Sequence, residues 1–335
     1  MYQKLVSFLQ YALFLGLGIF LVAWSLRKID QKEWTDIFNA FANARYLLIL
    51  PVIIALEASH ISRAQRWNIL IEPLGHKPKL ANTYMAILIG YLANLAVPRL
   101  GEVLRCTVLA RYEKIPADKL IGTIVAERAF DVVGLIVVLM ITFFSQTDII
   151  GTYLSGRIDL LLQSYQSPEG KNKLLIIGAV ALFLIFLFRF LLHRFAHISF
   201  MQKVKTIIIG VWHGLTSVRY IKKKSWFLFH TVFIWCMYLI SIQISMYAMQ
   251  ETSLYDIKAS LSVLATGSIA MILTPSGIGA YPIFVQETMA LYGLKHSIGI
   301  AFGWLMWTAQ FFVTLIGGFM ALAILPYINK KKQDA

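Results

Sequence analysis

Twelve residues concentrate the chemistry of this chain: Asn94-Leu-Ala-Val-Pro-Arg-Leu-Gly-Glu-Val-Leu-Arg105. They place Pro98, Gly101, three charged side chains and an amide inside a sequence otherwise suited to lipid. An ionisable group at membrane depth costs roughly 2.5–3.5 kcal/mol on insertion scales. A helix broken there leaves backbone groups that only protein or trapped water can satisfy. A stretch that accepts both penalties is expected to line a polar site. Glu102 and Arg105 are three apart, so on a helix they share a face and are expected to pair. Asn94 and Arg99 flank the break, and a helix beginning near Gly101 aims its positive end into the site. Arginine's planar fork suits phosphate. The four residues together suit a phosphate-bearing headgroup; the competing reading is a structural pair closing a hairpin.

Three further groups could join them. Glu127, Arg128 and Asp131 sit at helical spacing, with acids on both sides of the arginine. That favours a structural or gating role, with Glu127 as a proton-coupling carboxylate the alternative. Arg63, Arg66 and Trp67 follow Glu57 and His60 in one apolar run. They fit either an interfacial anchor or the same site, and Glu57 and His60 share a face that is expected to reach the cavity. In the stretch Thr274-Pro-Ser-Gly-Ile-Gly-Ala-Tyr-Pro282, Gly277 and Gly279 permit positive φ and close backbone approach. Gln286 and Glu287 follow, with at least one expected to face inward.

The elements that must position these residues are helices in a membrane. The chain has 335 residues, 58% hydrophobic and only 14% charged, with a mean hydropathy of +0.68. A soluble domain carries about a quarter charged residues. Apolar stretches of about the ~20 residues needed to cross the hydrocarbon run over 5–26, 46–70, 119–144, 172–192, 226–249 and 297–325. The first follows a single Lys4 without a small-residue cleavage site and reads as a retained signal anchor. Regions 80–113 and 259–293 instead hold paired short apolar segments, broken at Pro98–Gly101 and at 274–282. Short Pro/Gly-interrupted segments in both halves of a chain point to re-entrant hairpins around a binding site.

The net charge of +14 fits the positive-inside rule and anionic lipid rather than nucleic acid. Loop 189–224 has many Lys and Arg and no Asp or Glu, and Lys330 to Lys332 close the chain, so both are expected in the cytoplasm. Loops 145–171 and 250–258 are expected outside. Both termini then fall inside, and segments 46–144 and 226–325 run in opposite senses as an inverted-topology repeat. The fold class is therefore an all-α polytopic helix bundle, a single membrane domain over 1–335. An amphipathic cytoplasmic linker spans about 193–224, either a lipid sensor or a surface strap held by headgroups.

Enzyme signatures are weak. Gly-x-Ser-x-Gly, His-Glu-x-x-His and P-loop patterns are all missing, and Gly277-Ile-Gly279 lacks the third glycine of a dinucleotide fingerprint. His193 and His197 have no acidic or Cys partner nearby, and Cys106 and Cys236 lie far apart, so neither metal nor cofactor is expected.

The motifs Arg63-x-x-Arg66-Trp67, Asn94-x-x-x-Pro98-Arg99-x-Gly101-Glu102-x-x-Arg105, Glu127-Arg128-x-x-Asp131 and Pro275-x-Gly277-x-Gly279 occur in this order. With them the chain resembles the flippase-like membrane family that includes the transmembrane half of lysylphosphatidylglycerol synthase (multiple peptide resistance factor). The resemblance implies a multi-pass protein of a prokaryotic inner membrane that moves lipids or lipid-linked headgroups between leaflets. Two departures from the family are expected: these 335 residues show no counterpart of the soluble aminoacyl-transferring domain, so lipid lysinylation is not expected of them, and Pro282 stands where the second turn commonly carries a glutamate, a role open to Glu287. The expected substrate site comprises Arg63, Arg66, Asn94, Arg99, Glu102, Arg105, Glu127, Arg128, Asp131, Gly277, Gly279 and Glu287. The expected partners are a phosphate-bearing or zwitterionic lipid, anionic lipid at the basic loops, and a second copy in a homo-oligomer. A membrane-embedded transferase acting on a polyprenyl-phosphate, or a non-transporting scaffold, would be the alternatives.

Overall fold

The computed structural model describes residues 16–147 and 221–330 apart from 17, 19, 24, 26, 28 and 98. The expected span 172–192, linker positions 193–220, Pro98, Lys331 and Lys332 lie outside the described residues, as does most of the first span. The described positions of that span, from Gly16 onward, are helical.

The rest is an all-α bundle, with no strand among the described residues. Its elements are α1 (Gln31–Ala42), α2 (Ile49–Ile71), α3 (Leu80–Ala96), α4 (Leu100–Glu113), α5 (Ala117–Ser145), α6 (Lys224–Met246), α7 (Ile257–Leu273), α8 (Ala280–Ala290) and α9 (His296–Lys330). Segments Tyr46–Leu74, Lys224–Met246 and His296–Lys330 are long and apolar enough to cross a membrane. Helix α5 has 29 residues but carries Glu127, Arg128 and Asp131 on its first half. Large apolar side chains on its second half, such as Val133, Val137 and Met140, stay exposed, as do Leu50 and Ile54 of α2 and Phe312, Ile316 and Phe319 of α9. An exposed apolar belt of this extent suits lipid tails.

Both broken regions fold as helix–turn–helix pairs. Helices α3, α4, α7 and α8 have 17, 14, 17 and 11 residues. At 1.5 Å per residue they reach roughly 25, 21, 25 and 17 Å, short of the ~30 Å hydrocarbon core. Helices α3 and α4 cross at Gly90 and Gly101, where a Cβ on Gly101 would run into the Gly90 carbonyl. Small residues let backbones meet without hydrophobic drive. Helix α8 lies on α9 in the same way, with Gly303 against the Pro282 backbone.

Helix α1 was not among the expected spans. Its start is a capping box: Glu33 N–H donates to Asp30 Oδ1 at 2.7 Å and Asp30 N–H to Glu33 Oε2 at 3.0 Å. Ile37 and Ala40 face inward, and α1 packs on α9.

Two apolar clusters flank a polar middle. One gathers Trp67, Ile71, Ile87, Leu109 and Leu120 from α2 to α5. The other gathers Met246, Val263, Val285, Met289 and Phe302 from α6 to α9. Between them the charged residues meet.

Candidate functional site

Helices α2, α4 and α5 bring seven ionised side chains together. Arg63 donates to Glu127 Oε1 and Asp131 Oδ2, both at 2.8 Å. Arg66 donates to Asp131 Oδ1 at 2.6 Å and stands 3.6 Å from Glu127. Arg105 lies 3.1 Å from Glu127 Oε2 and above the Trp67 ring at 4.8 Å. Arg128 reaches Asp131 at 3.3 Å and Glu102 at 3.4 Å. Glu127 and Arg66 are fully buried, and Arg105 is 2% exposed. Buried charges at this depth persist only when each finds partners.

This arrangement corrects the expected local pairing. Arg105 does not pair with Glu102 but turns to Glu127, while Glu102 binds Arg128. Arg128 is accordingly not neutralised by its own helix alone. Nor do Arg66 and Trp67 form an interfacial anchor: both are completely enclosed, with the Trp67 indole N–H donating to Thr123 Oγ1 at 2.8 Å.

In front of the network lies a polar cavity of about 1060 Å³. Its walls include Arg63, Asn94, Arg99, Glu102 and Arg128, with Tyr238 and Ser241 of α6, Thr274 and Ser276 of the second turn, and Gln310 of α9. The two turns touch. Ser276 Oγ donates to the Asn94 carbonyl at 3.3 Å, and Trp307 Nε1 donates to the Ser276 carbonyl at 2.9 Å. At each turn one non-glycine residue takes a left-handed backbone, Arg99 at φ 66° and Ser276 at φ 51°. Such positions cost on the order of 1–3 kcal/mol and persist where the surroundings over-determine them. Asn94 Oδ1 accepts from Gly101 N–H at 2.8 Å, capping the first turn of α4.

The expected site residues therefore divide. Arg63, Asn94, Arg99, Glu102 and Arg128 form wall; buried Arg66, Arg105 and Glu127, with the partly buried Asp131, form the support behind it. Gly277 and Gly279, each at φ 73°, shape the second turn, with Gly277 against Met271 and Gly279 against Gly18. Glu287 is not brought in. Its side chain is 66% exposed and 3.8 Å from His296, off the cavity wall. Glu57 and His60 also part: His60 lines the polar cavity, whereas Glu57 faces a second, apolar cavity of about 680 Å³ between α2, α3 and α9. Wall residues that the sequence did not single out include Tyr91, Tyr238, Ser241 and Gln310. For Gln310 the signal was present, because Gln310 and Thr314 are polar positions one turn apart in the apolar α9.

The charges do not cancel. Arg63, Arg66, Arg105 and Arg128 face Glu102, Glu127 and Asp131, leaving one surplus cation. Arg99, exposed on the wall with no ion pair among the described residues, adds another. A low-dielectric pocket with surplus positive charge favours anions.

A multi-pass helix bundle with a charged cavity between two broken hairpins defines an integral membrane protein with a polar site at its centre. The chain belongs to the lysylphosphatidylglycerol synthase TM region family, whose model matches residues 8–318. That family is a membrane domain associated with lipid flippase and synthase systems. No curated protein and no solved structure matches the chain at a significant level.

Proposed function

We propose that this protein moves a phospholipid, or a lipid-linked headgroup, between the leaflets of a prokaryotic cytoplasmic membrane, and that it is a transporter rather than an enzyme. The headgroup phosphate rests against Arg99 and Arg128 while the acyl chains stay in the bilayer. Glu102 at the same wall admits a zwitterionic headgroup as well as an anionic one. The observation carrying this reading is the surplus positive charge of a cavity walled by the tips of both hairpins. The two short helix pairs act as re-entrant hairpins entering from opposite faces, within an inverted-topology repeat whose termini both lie in the cytoplasm. Anionic lipid holds the basic loops.

The test is transfer of fluorescent phosphatidylglycerol in proteoliposomes, read by chemical quenching of the outer leaflet. A lost charge-assisted hydrogen bond is worth roughly 1.5–3 kcal/mol, so Arg99→Ala is expected to slow transfer about 10- to 100-fold. Arg99 is exposed, so thermal stability should hold. Arg99→Lys should recover only part of the rate, because a point charge lacks the guanidinium fork. Wild-type rates in Arg99→Ala and Arg128→Ala would refute the phosphate site.

A further inference from the structure

The geometry points to the Glu57–His60 pair as a proton-binding site that loads together with the headgroup, so that each anionic headgroup entering the cavity brings one proton with it. This inference rests on the translocation reading above and adds what drives it.

Arginine keeps its proton at every physiological pH. Glu102, Glu127 and Asp131 each stand within 3.4 Å of an arginine and are engaged in ion pairs. Histidine is the side chain whose charge ordinarily changes between about pH 5 and 8, and His60 lines this wall. It is 7% exposed, and its Nδ1 is buried without a hydrogen-bond partner, 3.6 Å from Glu57 Oε2. An enclosed imidazole aimed at a carboxylate is placed to hold a proton, not merely to fill space.

Glu57 supplies the matching charge. No arginine pairs with it among the described residues; its partners are the Tyr84 hydroxyl, which donates to it, and His60. On α2 itself the next ionised group is Arg63, already engaged by Glu127 and Asp131 of α5. Helix α3 faces the pair with Tyr84 and with Tyr91, whose ring lies 5.1 Å from the imidazole. Helix α6 brings Tyr238, bonded to Arg63, and His230, which is held at Ser62. Helix α9 brings uncharged Gln310 and Thr314 to the cavity and Gly317 to Glu57. Arg128 and Glu102 engage one another across the wall.

The proton therefore adds a positive charge beside the headgroup, compensated from the far side by Glu57. Because binding linkage is reciprocal, a headgroup that binds better to the protonated form must also raise proton uptake. One such charge across a low-dielectric pocket is worth about tenfold in affinity.

The experiment is saturation binding of fluorescent phosphatidylglycerol to the purified full-length protein in detergent between about pH 5 and 8. The phosphodiester keeps its charge over that range. Wild type should bind about tenfold tighter at the acid end. His60→Gln should bind at the alkaline wild-type level throughout, and Glu57→Gln should keep a pH dependence displaced to the acid side. A parallel NMR titration of the His60 imidazole in wild type needs no substitution and should shift to higher pH when the lipid is added. Saturable binding that is flat with pH, an unchanged profile in His60→Gln, or a silent imidazole overturns the proton site and leaves the headgroup cavity standing. Absence of saturable binding at every pH overturns both.

Discussion

Glu127→Ala is expected to cost the protein its folded centre, with a loss of about 3–5 kcal/mol, the range for breaking a buried ion pair from one side. The side chain is fully buried and sits 2.8, 3.1 and 3.6 Å from Arg63, Arg105 and Arg66. Removing it leaves three enclosed guanidinium groups with Asp131 as the remaining carboxylate among them. Desolvating those cations again is not repaid by a cavity the size of a carboxyethyl group. The measurement is thermal unfolding in detergent together with the monodisperse yield. Glu127→Gln keeps the volume and one accepting oxygen, but its amide nitrogen cannot accept from a guanidinium, so it should fall between wild type and Ala. A melting temperature for Glu127→Ala within a degree or two of wild type would mean that the network does not hold the bundle. Arg105→Ala is a poor probe of headgroup binding because Arg105 supports the wall from behind, and its loss takes one of three arginines from Glu127.

Gly101→Ala is expected to reduce transfer about 100-fold while costing about 1–3 kcal/mol of stability. The added Cβ would overlap the Gly90 carbonyl and stand 2.7 Å from Asn94 Cγ. Backbone cannot give way as a flexible side chain can, so α3 and α4 must separate and Asn94 must release the Gly101 amide. Arg99 and Glu102 then leave their places on the wall, and misplacement of about an ångström is enough for a loss of that size. Gly122→Ala in α5 is the control, since its new Cβ meets nothing within 4 Å. Equal transfer rates in the two variants would show that the hairpin crossing does not position the site.

How much of this was legible in the chain depends on the range of the interactions. The paired short helices were readable, because proline and glycine at 98–101 and 275–282 break apolar runs that otherwise continue. Of the expected spans, those in the described residues came within a few residues, with 119–144 expected and Ala117–Ser145 found. Helix α1 was missed despite its signal, the Asp30-x-x-Glu33 box, because attention to twenty-residue runs passes over a twelve-residue amphipathic helix. Charge pairing was misread where local spacing was the only guide. Glu102 and Arg105 share a helix, yet Arg105 spends its charge on Glu127, 22 positions away. Arg63 meets carboxylates 64 and 68 positions away. No periodicity carries such information, since it arises only when three helices pack. That Glu57 and His60 separate onto two cavities was equally hidden, because each cavity is bounded by α9, remote in sequence from both.

The bond chain from Asn94 through Ser276 to Trp307 ties the two halves of the polypeptide at their turns, on the cavity wall. A machine clasped at its rim can rock without disturbing what it carries; one clasped at its heart cannot. Under the proposed transport, a motion that parts these halves must also undo this bond chain on the cavity wall, which couples arrival of a headgroup to release of the clasp.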